Sequence, residues 1–313
     1  RYHSALRSYE AAQQSCQSVK SKRRRQEVCA AARLQHAELL VSMKRYPEAL
    51  RAYHQAEEEL QSQQPDAAQA SYSAALLYLE TEDIEAAYRY LWKTITHYPN
   101  EAFAADALKR LLRDGRERAP EALRNELQQL ARSLSKTKIA DNLLAALAEL
   151  DEHEFESPAK ALAHYDKLVA DYPSSGLFDD ALWHGARLSR ITGDSEGAAK
   201  RLRRLLSTRE VAMGAGSYFS VWLDDSQLTL GIILRDDLQD YPAAIAAFAK
   251  LPSDYPASIL RDDALYERAV AKQRAGKTTE ACKDLSKLLA KYPDSKYNLE
   301  AVPKLRSELG CAL

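Results

Sequence analysis

The chain has 313 residues, 46% hydrophobic and 28% charged, with a formal net charge of −1. That balance argues against a general nucleic-acid or membrane-surface binder, which needs a basic excess, and leaves room only for a local basic patch. No run reaches the roughly 18 consecutive apolar residues of a spanning helix. The chain opens at Arg1 without Met, which reads as a processed or trimmed product, with membrane association only through a partner or a removed anchor.

In chain order, residues 1–43 read as a helical hairpin, with helices over about 2–19 and 26–43 and a turn near 21–24. Cys16 and Cys29 flank that turn symmetrically, so an antiparallel hairpin would set them face to face; the other reading is reduced thiols packed as small hydrophobes. Lys20, Lys22, Arg23, Arg24 and Arg25 crowd the turn, as a solvated tip or as a contact for an anionic partner. Residues 30–61 hold a helix pair around Ala49, with Pro47 opening its second helix, and 61–65 is a polar connector. Further pairs follow over 66–99, over 101–138 (turn marked by Gly115 and Pro120), over 139–173 (turn 152–158), and over 177–206 (turn 192–194).

Residues 207–225 break the rhythm. They hold Gly214 and Gly216, then Tyr218, Phe219 and Trp222, either as a contact loop or as a plug for a wider gap. Pairs resume over 226–256 and 259–293, and residues 297–309 read as a closing helix. Cys282 and Cys311 lie on the last pair and just past that helix, a second candidate bridge.

The pairs are copies of one another. Pro256 and Pro293 stand 37 residues apart (293 − 256), and Pro99 and Pro173 stand at twice that spacing (173 − 99 = 74). Twelve residues before each of these prolines is an alanine: Ala87, Ala161, Ala244 and Ala281. Four residues after each alanine is a large side chain: Leu91, Tyr165, Phe248 and Leu285. Ala49 with Tyr53 and Ala198 with Leu202 fit the same frame. Small and large residues four apart share a helix face, so each pair presents a close-approach site and a filler to its neighbour. A single such pair cannot bury its apolar face alone and must stack.

This pattern resembles the tetratricopeptide repeat family over about residues 30–300. Ala75, Ala87, Leu91 and Pro99 match its small, small, large and proline positions in one unit, and Ala269, Ala281, Leu285 and Pro293 match them in another. The phrase Tyr-Pro-x-Ser followed by Asp-Asp-Ala-Leu, at residues 172–182 and 255–265, is similar to bacterial envelope proteins of the outer-membrane assembly lipoprotein and cell-division coordinator type. The resemblance implies an all-α, right-handed solenoid of about seven to eight hairpins. Residues 1–313 then form a single solenoid: an N-terminal hairpin 1–43, repeats 44–206, insertion 207–225, repeats 226–293 and a cap 294–313. It implies a groove lined by the first helix of each pair, with Tyr72, Trp183, Arg187, Arg190, Tyr266 and Gln273 facing inward.

Asp179-Asp180, Asp224-Asp225 and Asp262-Asp263 recur at one repeat position, which favours helix-start capping over metal or acid–base chemistry. The seven histidines are scattered without metal-ligand spacing, and there is no Gly-rich phosphate loop or Gly-x-Ser-x-Gly elbow. The expectation is a non-catalytic scaffold without cofactor or metal, binding a protein or peptide and not nucleic acid. A glycan-binding or accessory subunit of an envelope enzyme complex is the alternative. The resemblance and paired cysteines place it in the periplasm or at the outer membrane, the cytoplasm being the other reading.

Overall fold

The structure, a computed structural model, describes residues 2–60, 64–209 and 220–311. Among them are sixteen α-helices, two 3-10 turns and no strand. The chain divides into two compact units, residues 1–150 and 151–313.

The first unit holds α1 (Tyr2–Ser15), α2 (Lys22–Ser42), α3 (Tyr46–Glu59), α4 (Gln64–Glu80), α5 (Ile84–His97), α6 (Ala102–Arg118), α7 (Pro120–Ser133) and most of α8 (Ala140–His153). The second holds α9 (Pro158–Asp171), α10 (Phe178–Ile191), α11 (Ser195–Leu206), α12 (Leu223–Asp236), α13 (Tyr241–Asp254), α14 (Arg261–Arg274), α15 (Thr278–Lys291) and α16 (Ala301–Leu309). From α1 to α7 and from α9 to α16, each helix packs on the next in sequence. First helices of successive pairs also touch, α2 on α4, α4 on α6 and α12 on α14, which is solenoid packing.

The small-and-large frame carries this packing. Ala49, Ala87, Ala161, Ala198, Ala244 and Ala281 are all fully buried, at 0% exposure, and their partners Tyr53, Leu91, Tyr165, Leu202, Phe248 and Leu285 are buried with them. One pair shows how tightly size is matched. Phe248 is the bulkiest filler after the two tyrosines, and it lies against a glycine: a Cβ on Gly231 would stand 2.4 Å from the Phe248 ring. In the next pair the filler is Leu285, which shares a core cluster with Ala269. Larger filler and smaller facing residue conserve volume across the contact.

Each second helix ending in Tyr-Pro stops as the proline requires. The N–H groups of Tyr98, Tyr172, Tyr255 and Tyr292 return to the carbonyls of Thr94, Leu168, Leu251 and Leu288, and the following proline has no N–H to continue the ladder. The turns inside the pairs share another device. Lys44, Glu82, Glu156, Gly193, Gln239 and Gly276 all have positive φ, from 45° to 86°, yet only two are glycine. After three of these turns an aspartate caps the second helix: Asp83, Asp194 and Asp240 accept the N–H groups of Ala86, Gly197 and Ala243.

Several boundaries differ from expectation, among them the end of the first helix, at Ser15, and the start of α4, at Gln64. Lys22 to Arg25 belong to the first turn of α2, not to a loop, because Ser21 caps that helix by accepting the Arg24 N–H. Gly115 lies inside α6, where Leu123 crosses it closely; the turn is Ala119 alone, because Pro120 starts α7 at once. The insertion ends before Leu223, so Asp224 and Asp225 sit in α12. The closing helix begins at Ala301; Lys296–Asn298 form a 3-10 turn, since Tyr297 is drawn onto the preceding pair.

Both cysteine pairs are bonded. Cys16 to Cys29 ties the end of α1 to α2, and Cys282 to Cys311 ties α15 to the chain two residues past α16. Such cross-links remove loop entropy from the unfolded chain where a repeat stack frays most readily.

In the first unit three rings gather between α3, α4 and α5. His54 stacks on Tyr90 at 5.0 Å, Tyr78 tilts on Tyr90 at 5.4 Å, and the Tyr78 hydroxyl lies 3.3 Å from His54 Nε2. Lys93 lies over Tyr90 and pairs with the buried Glu57, which also accepts the Tyr98 hydroxyl. Burial, outweighing the opposite pull of Glu57, holds the His54 imidazole below its ordinary pKa.

Two expectations follow. Gly231→Ala gains helix propensity of about 1 kcal/mol but drives a methyl into Phe248, so net destabilisation of about 1–2 kcal/mol is expected. In a Phe248→Leu background the same change should be neutral or stabilising, and a urea-unfolding double-mutant cycle reads the difference. For His54 the folded pKa lies below the unfolded one, so its contribution is present above about pH 6.5 and is lost as pH falls. The urea midpoint of the first unit should drop between about pH 7.5 and pH 5, and His54→Gln should flatten that drop, with His36, also held down by burial, keeping the remainder.

Candidate functional site

The first helices of the second unit's three complete pairs are α10, α12 and α14. Each opens with one of the aspartate pairs in its first turn, as expected. Yet none of their N-cap side chains makes a capping bond, and two of the three carboxylate pairs reach instead to the pair that follows.

On α10, Asp179 is bonded by the Ser220 hydroxyl and Asp180 accepts the Trp222 indole N–H. Trp222 stacks on Trp183 with ring centroids 5.1 Å apart and planes 9° apart, and His184 meets Trp222 edge-on. On α14 the arrangement repeats. The Ser295 hydroxyl donates to Asp262 at 2.7 Å, the Tyr297 hydroxyl donates to Asp263 at 2.8 Å, and Tyr297 stacks on Tyr266 at 4.1 Å and 12°. Lys296 adds an ion pair to Asp263 at 2.6 Å. In each case a serine also accepts the N–H two residues on, fixing the loop that delivers the aromatic.

The middle pair lacks this closure. Ser258 makes the same loop bond to the N–H of Leu260, but a leucine stands where the other two loops carry Trp222 and Tyr297, and leucine cannot donate. Among the described residues no side chain donates to Asp225. Burial, with Asp224 beside it, pushes the Asp225 carboxyl up. Leu228 and Ile232 on α12, the helix between α10 and α14 in sequence, and Val270 on α14 are half-buried.

The arginines expected in the groove are exposed but engaged. Arg187 pairs with Glu152, and Arg190 donates to both oxygens of Asp237 at 2.7 and 3.1 Å. Further along, Arg235 is shared between Asp236 and Glu267, and Arg274 reaches Asp236 at 2.5 Å. These ties link neighbouring pairs along the ends of α10, α12 and α14. Gln273 is half-buried on α14. Tyr72 lies in the first unit, tilted on Phe103 at 5.7 Å. Tyr218 and Phe219 lie outside the described residues.

The structure therefore joins Trp183 with Trp222 and Tyr266 with Tyr297. Sequence reasoning missed Tyr297, Ser220 and Ser295. The signal was present: Asp-Asp-x-x-aromatic in one pair, followed by Ser-x-aromatic at the entry to the next. Among the described residues no cluster of His, Cys, Asp and Glu could hold a metal ion, and no helix is long and apolar enough to cross a membrane.

Removing the indole N–H tests the clasp. Trp222→Phe keeps a ring on Trp183 but leaves Asp180 without its donor, a loss of about 1–3 kcal/mol. Tyr297→Phe should cost less, because Lys296 stays on Asp263. Urea midpoints of the two variants make the comparison.

Comparison with known proteins is consistent with the repeat frame. No curated protein matches the chain. Among solved structures, PilW, described as a widely conserved type IV pilus biogenesis factor, is 16% identical, with a TM-score of 0.41 over 90% of this chain and 98% of its own. Pseudomonas aeruginosa pilF is 16% identical at 0.41, over 76% and 97%. YrrB, described as a TPR protein with an unusual peptide-binding site, is 14% identical at 0.42, over 78% and 95%. All three TM-scores lie below 0.5, so the likeness says nothing of what this chain binds. The family model of the tetratricopeptide repeat matches residues 225–258 and 263–295.

Proposed function

We propose that the protein is a non-catalytic interaction scaffold that holds a peptide or partner segment along the first-helix face of its second unit. The observation that carries this reading is the pair of aromatic stacks, Trp183 on Trp222 and Tyr266 on Tyr297, on α10 and α14, with the half-buried Leu228 and Ile232 on α12, the helix between them in sequence. Each ring is fixed by stacking, and Trp222 and Tyr297 also by a bond to a carboxylate, so little side-chain entropy remains to be lost on binding. Arg187, Arg190 and Gln273 border the face, and the arginines would share their carboxylate partners with the ligand. Tyr72 is the corresponding anchor in the first unit. The insertion bearing Tyr218 and Phe219 is a second contact in this reading. Two bonded cysteine pairs suit an oxidising compartment, and the periplasm or outer membrane of a bacterium fits that requirement.

A photo-crosslinking residue placed at Ile232 should capture a partner in the native host, while one at the exposed Ala290 on α15 should not. Arg187→Ala combined with Arg190→Ala removes two exposed side chains, so the fold should persist with a somewhat lowered midpoint, because the partly buried Glu152 and Asp237 lose their partners, while affinity for the captured partner falls about tenfold or more. Equal capture at both positions, or unchanged affinity in the double variant, would overturn the assignment. Retention on peptidoglycan without any captured protein would favour the glycan-binding alternative.

A further inference from the structure

Among the described residues, a different surface of the second unit is left open between the second helices α11 and α13. Helix α11 has 12 residues, two fewer than α13 and α15, and ends at Leu206. The wall of α13 that faces it is built from Ala243, Ala246 and Ala247. A short helix opposite a wall of methyl groups leaves a cleft of about 520 Å³, in the range of ligand sites. Its floor is α12, through Leu230 and Leu234, with Leu206 at the side. The floor is held in place: the buried Gln227 donates to the Ala247 carbonyl at 2.8 Å. One end is closed by Arg209, which lies over the Tyr255 ring at 5.2 Å and donates to the Asp254 carbonyl at 2.8 Å.

The charge around this cleft is one-sided. Arg209 and Asp254 are committed to each other. That leaves Arg203 on the α11 rim and Lys250 on the α13 rim, both exposed. Among the described residues neither side chain has an acidic or hydrogen-bonding partner. An apolar floor between two free cations is complementary to an apolar stripe flanked by carboxylates on both sides. The walls are helices whose backbone groups are already bonded along their length, so an extended peptide would find no ladder here. A helix brings its own backbone bonds and needs only side-chain contacts.

We propose that the α11–α13 cleft docks a short, acidic amphipathic helix of a partner protein. Its apolar side chains at i, i+3, i+4 and i+7 bear on Leu206, Leu230 and Ala246, and its flanking Glu or Asp side chains pair with Arg203 and Lys250. This site is separate from the first-helix face and does not depend on it.

The test uses the full oxidised chain and a fluorescein-labelled peptide of about fourteen residues, with Leu in that stripe and Glu beside it. A sibling peptide carries Lys in place of each Glu. Anisotropy should show binding of the Glu peptide and none of the Lys peptide. Ala246→Trp fills the cleft from an exposed position and should weaken binding about tenfold or more. Arg203→Glu with Lys250→Glu should reverse the preference between the two peptides. Circular dichroism and thermal midpoint check that both variants stay folded, and Arg187→Ala with Arg190→Ala should leave this binding intact. Absence of binding by the Glu peptide, equal binding of both peptides, or indifference to Ala246→Trp would overturn the proposal. So would a wild-type dimer in sedimentation that Ala246→Trp dissolves, since the occupant would then be a second copy of this chain.

Discussion

Close approach between helices depends on alanine, and here it depends on alanine at one repeated place. Six alanines at 0% exposure each sit four residues before a large buried side chain. The small residue lets a neighbouring helix come near, and the large one fills what the approach leaves open. A densely packed contact tolerates neither a void nor an extra methyl, so a filler is matched to what it faces, as Phe248 is to Gly231. The spacing of the helices, and therefore the surface they expose, follows from that volume match.

On this frame the polar groups do the work of orientation. Stacked helix pairs held only by apolar contact could slide or rotate against one another. The carboxylates of Asp180 and Asp263 remove that freedom by taking a directed bond from the aromatic residue that leads into the next pair. The bidentate Arg190–Asp237 bond and the shared Arg235 do the same at the opposite ends of the helices. A face tied at both edges is preorganised, which is what a binding surface requires of a flat, open fold. Asp225 is the exception: its half-buried carboxyl breaks the pattern in the middle of that face.

Much of the fold was legible because periodicity reports which side of a helix turns inward. The alanine anchors, the Tyr-Pro ends and the facing of Cys16 and Cys29 all follow from counting residues. What counting did not reach was pairing between groups far apart in sequence. Arg190 looked like a free anchor, yet its partner Asp237 lies 47 residues away. The aspartate pairs looked like caps, and the capping is done by Asp83, Asp194 and Asp240 on the second helices instead. Tyr297 was read as the start of a helix, because its hydrophobic spacing fits one; a stack on Tyr266 and a bond to Asp263 outweigh that local preference.

The two disulfides join cysteines in the order they occur, first to second and third to fourth. Four cysteines allow three pairings, and each of the other two would fasten one compact unit to the other. A chain oxidised as it emerges from a narrow passage meets the correct partner within 13 residues for the first bond and within 29 for the second. Neither bond has to wait for distant parts of the molecule, and neither needs to be broken and remade. The native connectivity is the one pairing that keeps each bond within its own compact unit.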